Sequence, residues 1–403
     1  MLEDLCIICF APSDWWGMNP SCTTHIMKRL ADKNKVLYVN PFSSDVLGER
    51  KGIPRRIVRK IKSIAKWMRN AQNNLHVFSP VFFPLHGSKI IDGFNNALLR
   101  IQLKLVCRLI GIQRPILWVE NLRAADTLDW FNSQLIVYHV SDLFTTSRYS
   151  GNRQKLEERE ARIIAKSHLV ICVSERLYNI KSARHTNVSY LPHGVDFELF
   201  REAAERRQSL DEIAHIKKPI AGYYGTLTAN NDIELLAWCA RRLPEVSFVL
   251  AGQITSGNYS QLSCLPNVHL IRKLPYEKIP ALCASFDVCM LQWKMTEWIK
   301  CCNPLKMFEY MASGKPIVSV PIEEAKQYSD IISIAYNKEQ FAGAIRWELH
   351  NDMPERARRR IEIAREHSWD KHVERISELI VNTITTKQSG QFCTTGQSVK
   401  EVG

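Results

Sequence analysis

The chain has 403 residues, 45% hydrophobic and 24% charged, which is too long for one ordinary domain and is the balance of a globular protein with sizeable cores. The absence of an eighteen-residue apolar run argues against a spanning helix, and the acidic opening "MLEDLCIICF" argues against a secretory leader. The net charge of +13 is lopsided: residues 1–200 hold 28 Lys+Arg against 17 Asp+Glu.

In chain order, "LCIICF" predicts a buried parallel strand. Its Cys6 and Cys9 have no second pair at zinc-ligand spacing. Most of the twelve cysteines sit in apolar runs and are expected to be reduced, buried thiols of a cytosolic protein, with no metal site. The turn "SDWWGMNPSCTTH" then leads into a helix. Its Trp15, Trp16 and His25 are cleft candidates, and a Trp pair packed over the domain is the other reading.

After the strand "KVLYVN", residues 48–70 read "GERKGIPRRIVRKIKSIAKWMRN", with Ile57, Ile61, Ile64 and Ala65 as an apolar stripe among cations. A basic amphipathic helix of this kind suits an anionic membrane surface. A helix packed on its own domain with its charges solvated is the alternative. No recognition motif accompanies the charge, so nucleic acid is not expected as a partner. "LHVFSP", "PILWVE", "LIVYHV" and "HLVICVS" predict further strands, with "FNNALLRIQLKLVCRLIG" and "NRQKLEEREARIIAKS" as intervening helices.

The boundary is expected after "VSYLPHGVDFELF", giving domains 1–200 and 201–365, a terminal helix at 366–384 crossing back to the first domain, and a disordered tail at 385–403. The second half repeats the alternation with "PIAGYYG", "SFVLAGQ", "VHLIRKL", "DVCMLQW" and "PIVSV". Two Rossmann-like, doubly wound parallel sheets are the economical architecture.

Such sheets bind ligands at the carboxyl ends of their strands. After "PIAGYYG", the residues Gly222, Gly225 and Thr226 suit either a phosphate-approaching loop or tight strand-turn packing. The absence of G-x-G-x-x-G speaks against a dinucleotide-dependent dehydrogenase. In "CNPLKMFEYMASGKPIVSV", Asn303 is expected to cap a helix opened by Pro304 and Leu305. Leu305, Phe308, Met311 and Ala312 recur at helical spacing, and Gly314 suits the C-terminal cap. That helix start and Lys306 suit an anion. Glu309 then either binds the ribose of an attached nucleotide, or is solvated or paired with Lys306.

"PLKMFEYMASGKPIVSV" resembles the donor-binding signature of family 4-type (group 1) glycosyltransferases of the GT-B fold. "LPHGVDFELF", "GYYGTL…LPEVSFVLAGQ", "LPYEKIPALCASFDVCMLQW" and "AREHSWDKHVERI" are similar to the family's other segments in the same order. The subgroup resembled acts in bacterial cell-surface polysaccharide assembly. The resemblance implies a retaining, metal-independent transfer, without cofactor, from a nucleotide-diphosphate-sugar donor to a glycan or lipid-linked acceptor. It implies that Glu309 binds the ribose, that helix 303–312 with Lys306 faces the diphosphate, that the 222–226 loop closes over it, and that Arg272 and Lys273 lie near the base.

Several features depart from the family pattern, among them His193 in place of an asparagine and Ser141 in place of a histidine. Cys301 stands where a second, sugar-contacting Glu is common, and "TANND" lacks the usual phosphate cations. Asp142, with His139 as the lesser candidate, is expected as the polar catalytic residue of the first domain, with Glu120 as a further cleft residue. The expected seat is cytoplasmic, peripheral on the inner membrane face through residues 48–70. The rival readings are a GT-B nucleotide-sugar 2-epimerase and a non-catalytic glycosyltransferase-like binding protein.

Overall fold

The computed structural model describes residues 2–16, 19–42, 67–82, 89–145, 153–208 and 210–389. Its first sheet uses β1 (Cys6–Phe10), β2 (Lys35–Val39), β3 (Met68–Gln72), β4 (Leu75–Phe78), β5 (Ile116–Val119), β6 (Leu135–Val140), β7 (Leu169–Cys172) and β8 (Val188–Tyr190). Their spatial order is β3-β4-β2-β1-β5-β6-β7-β8, parallel throughout except for the antiparallel edge pair β3/β4. The second sheet uses β9 (Ile220–Tyr224), β10 (Ser247–Ala251), β11 (Val268–Ile271), β12 (Val288–Leu291), β13 (Ile317–Ser319) and β14 (Ser333–Ile334), all parallel, in the order β11-β10-β9-β12-β13-β14.

Both sheets are doubly wound, with the direction of winding reversing between β1 and β5 in the first and between β9 and β12 in the second. Each is covered on both faces, so its strands read as continuous apolar runs. "LIVYHV", "LVIC" and "SFVLA" are buried at every position. Three strands escape the sequence reading, namely β3, β8 and β14. They are short or half-exposed edge strands without such a run.

Of the basic segment 48–70, residues 48–66 lie outside the described residues, and Met68–Asn70 open β3 instead of continuing a helix. The change of domain comes earlier than residue 200. Helix Phe197–Glu205 buries Phe197, Phe200 and Ala203 in the second domain's core, and Leu210, Ile213 and Ile216 of the charged stretch after it join that core. Polar composition hid their apolar spacing.

The chain crosses between domains twice, side by side. The Val195 amide donates to the His367 carbonyl at 2.9 Å, and the Trp369 amide returns to the Val195 carbonyl at 3.0 Å. Helix Trp369–Gln388 then lays Trp369, Val373, Ile376 and Ile380 into the first domain's core. It runs past residue 384, so 385–388 are helical, with the Lys387 ammonium held by the Gln134 carbonyl at 2.9 Å. Residues 390–403 of the expected tail lie outside the described residues.

Candidate functional site

The two sheets face each other across a cavity of about 270 Å³. Ser141 and Asp142 line it from the end of β6. Tyr223, Thr226, Trp293, Asn303, Pro304, Leu305 and Lys306 line it from the β9/β12 switch point and the next helix. Helix Leu305–Ala312 is pinned by burial of Met307, Phe308, Tyr310, Met311 and Ala312, and it ends on Gly314 in the left-handed region at φ +70°. Its N-cap is Pro304. Asn303 makes no cap and instead sends its amide to Glu324 Oε2 at 3.0 Å, a correction to the capping expectation. Pro304 takes the cap position, and the buried Glu324 carboxylate orients the Asn303 amide through its NH2 group, leaving the Asn303 oxygen out of any backbone cap.

Glu309 lies on this helix at 3% exposure and accepts a 2.7 Å hydrogen bond from the Tyr224 hydroxyl at the end of β9. Neither the solvated reading nor the Lys306 pair survives. The Lys306 ammonium sits 4.7 Å from the Trp293 ring centre and 5.3 Å from that of Tyr223. Burial pushes the Glu309 carboxyl up to about 7, against the opposing effects of the Tyr224 hydrogen bond and the Lys306 charge.

The two loop glycines divide the two readings offered for them. A Cβ on Gly222 would stand 2.2 Å from the Phe286 ring, so Gly222 serves packing. Gly225 has φ +138°, and its Cβ would lie 3.3 Å from Lys306 Cε, so this glycine lets the loop approach the lysine.

Asp142 accepts from its neighbour's amide, Leu143 N, at 2.8 Å and from the Trp298 indole N–H of the second domain. His139 and Glu120 are not open to the cleft. His139 is fully buried with Nδ1 3.0 Å from Glu120 Oε1. Glu120 is buried beneath Ser141, whose hydroxyl reaches it at 3.2 Å, and also accepts from Thr23 and from the Trp118 indole at 2.8 Å each. Burial alone would raise the Glu120 carboxyl, but His139 and these donors outweigh it and hold the carboxyl below its ordinary value. The physical reason for this correction is that β6 is covered on both faces. His139 lies on an all-buried strand, and only the residues beyond it reach the rim.

The remaining candidates lie apart from the cavity. Trp15 packs edge-on to Tyr38 with centroids 4.9 Å apart, and half-buried Trp16 packs beside the same core. His25 is buried at the interdomain crossing, stacked 5.0 Å from Trp369 and 3.3 Å from Asp196. Burial takes its imidazole down to about 4. Arg272 and Lys273 are exposed after edge strand β11, two strands from the switch point.

Sequence reasoning missed Tyr224, Trp293, Trp298 and Glu324. Tyr224 and Trp293 were detectable as aromatics just at or beyond strand ends. Trp298 and Glu324 act across the domain interface and leave no local signal. Glu324 accepts from the Glu175 amide at 2.7 Å, the Tyr190 hydroxyl at 2.6 Å and Asn303. Cys301 belongs to the first domain's apolar core at 2% exposure, and its carbonyl accepts the Ser174 hydroxyl at 2.7 Å.

Residues 233–378 match the glycosyl transferase-like family, and the two-sheet architecture is that of solved GT-B structures. The fold is thus the GT-B fold, and the stretch 233–378 is similar to the glycosyl transferase-like family. Among solved structures it is similar to sucrose-phosphate synthase from Thermosynechococcus elongatus (TM-score 0.68, 14% identity, covering 95% of this chain and 100% of that one). It is also similar to Anabaena HepE in complex with UDP and glucose (TM-score 0.65, 14% identity, covering 94% and 100%). Among curated proteins it is 26% identical over 199 residues to TuaH of Bacillus subtilis (strain 168), a protein assigned to teichuronic acid biosynthesis as a glycosyltransferase. That match spans 45% of this chain and about half, 49%, of the relative.

Proposed function

We propose that this protein transfers a sugar from a nucleoside-diphosphate sugar to a hydroxyl of a glycan or lipid-linked acceptor in cell-surface polysaccharide synthesis. The observation that carries the reading is Glu309, a buried acid with one protein donor, one helical turn beyond an anion-suited helix start and Lys306. A carboxylate there accepts from the two ribose hydroxyls of a nucleotide, while Lys306, the Gly225 loop and the Leu305 end of the helix meet its diphosphate. Arg272 and Lys273 belong to the base end. HepE, which is described with UDP and glucose, and TuaH, which is linked to teichuronic acid, support the donor class and the polysaccharide setting.

Chemistry in this reading rests on positioning and on stabilising the departing diphosphate, with retained configuration and no metal or cofactor. Asp142, held by Trp298 at the cleft rim, takes the acceptor proton or orients the acceptor hydroxyl. The buried His139–Glu120 pair supports Ser141 beside it and takes no proton from substrate. The protein works in the cytoplasm against the inner face of the membrane.

Thermal melting against a panel of nucleoside-diphosphate sugars tests the reading, since a ligand of the folded state raises the melting temperature. One or more should stabilise the wild type and fail to stabilise Glu309→Ala. Lys306→Ala should lower turnover about 100-fold, the scale of losing one charge stabiliser. No shift with any donor overturns the proposal. Release of free epimerised nucleotide-sugar without acceptor supports the epimerase instead, and binding without hydrolysis or transfer to any acceptor supports a non-catalytic role.

A further inference from the structure

Helix Lys89–Ile110 of the first domain is amphipathic twice over. Its inner face buries Leu99, Leu103, Val106 and Cys107. Its outer face carries Ile101, Leu105 and Leu109, at 66%, 47% and 61% exposure, aligned at i, i+4 and i+8. Phe94, 55% exposed, extends the line toward the helix start, for a stripe of about 22 Å at 1.5 Å per residue. Solvent-facing apolar residues are ordinary when scattered, but in one row on one helix they mark a contact surface.

Each apolar residue of the row is preceded by an exposed cation, Arg100, Lys104 and Arg108. None of the three makes an ion pair among the described residues, and no Asp or Glu occurs between Gly93 and Val119. No described helix is long and apolar enough to cross a membrane.

From this combination we infer that the outer face of helix Lys89–Ile110 docks on an anionic lipid bilayer, its leucine-isoleucine row entering the headgroup boundary while Arg100, Lys104 and Arg108 meet lipid phosphates. Charge complementarity selects this occupant over a second copy of the chain. A two-fold pairing of this face would bring the cation rows of both copies together with no acid to neutralise them. Asn95 and Leu99 of the same helix also line a cavity of about 270 Å³ with Arg123 and Arg159. A membrane-docked helix therefore runs to a pocket on the acceptor-side domain. That last point rests on the glycosyltransferase reading; the docking does not.

The test is sedimentation with vesicles of phosphatidylglycerol and phosphatidylcholine, compared with phosphatidylcholine alone, using the full chain. Wild type should sediment with the anionic vesicles. The triple variant Ile101→Gln, Leu105→Gln, Leu109→Gln should bind at least about tenfold more weakly at every salt concentration. Arg100→Gln, Lys104→Gln, Arg108→Gln should lose about 100-fold at low salt, and less as salt screens the wild type. Both variants replace exposed side chains and should melt and bind nucleotide-sugar as wild type does, so failure here is separable from failure of the enzymatic reading. Unchanged vesicle binding by the Gln triple at Ile101, Leu105 and Leu109 overturns the inference. So does a wild-type dimer in sedimentation velocity that this triple converts to monomer, which would assign the face to a second copy.

Discussion

Glu309 is held in a state that costs stability at alkaline pH. Its carboxyl rises from an ordinary 4.5 to about 7 because it is buried, with Tyr224 as its hydrogen-bond donor. The folded state therefore retains a proton that the unfolded chain releases. This contribution is fully present below pH 4.5 and is lost as pH rises through about 7, a cost of about 3 kcal/mol at alkaline pH. Hydroxyls donate more strongly to the anion, so affinity for a nucleoside-diphosphate sugar such as UDP-glucose should climb between roughly pH 6 and pH 8. Glu309→Gln should abolish that climb, weaken binding at least tenfold, and melt higher than wild type at pH 8. Titration calorimetry across pH and paired melting curves check both halves. A pH-independent wild-type affinity, or a destabilised Gln variant at pH 8, would defeat the assignment. The sequence suggested the proposed ribose role through helical spacing and the resemblance to the family signature. It did not show Tyr224 as partner, because that contact spans 85 residues.

At the scale of elements, the segment entering helix Leu305–Ala312 is shared between domains. Cys301 is the clearest case. Where relatives of the family often carry a sugar-contacting acid, this side chain joins Phe144, Val173 and Leu177 in the first domain's apolar core. An acid installed there would press its carboxylate toward that core, with Arg176 beside it already paired to Glu297, while the Ser174 bond to the residue-301 carbonyl would remain. Cys301→Glu should therefore lower stability by about 3 kcal/mol or more and bring no gain in donor affinity. Chemical denaturation and nucleotide binding measure the two quantities. Increased turnover would mean that position 301 opens toward the sugar after all. Fold class was legible at this scale because parallel strands buried on both faces are continuous apolar runs. The short edge strands β3, β8 and β14, and the helix after residue 196, were not, since their burial is partial or interrupted by charge.

At the scale of the whole molecule, one carboxylate ties the segment entering helix Leu305–Ala312 to the opposite domain. Glu324, 1% exposed, takes hydrogen bonds from Glu175 N and Tyr190 Oη of the first domain and from Asn303, which precedes the helix Leu305–Ala312. Nothing in "PIEEAKQ" announces this, since both partners on the far side lie more than 130 positions away. Glu324→Ala would leave three donors facing a void and remove one of several links between the domains. It should lower stability by about 2–4 kcal/mol, raise the radius of gyration in small-angle scattering, and weaken donor binding through the freed Asn303. Tyr190→Phe breaks the interdomain half alone. If the carboxylate couples closure to the donor site, the two variants combined should fall short of additivity by about 1 kcal/mol or more. Additive losses with an unchanged radius of gyration would reduce Glu324 to a local anchor. Non-additive losses with an expanded particle would make domain closure a condition for assembling the donor site, as in hinge-closing enzymes whose constellation is completed only across the cleft.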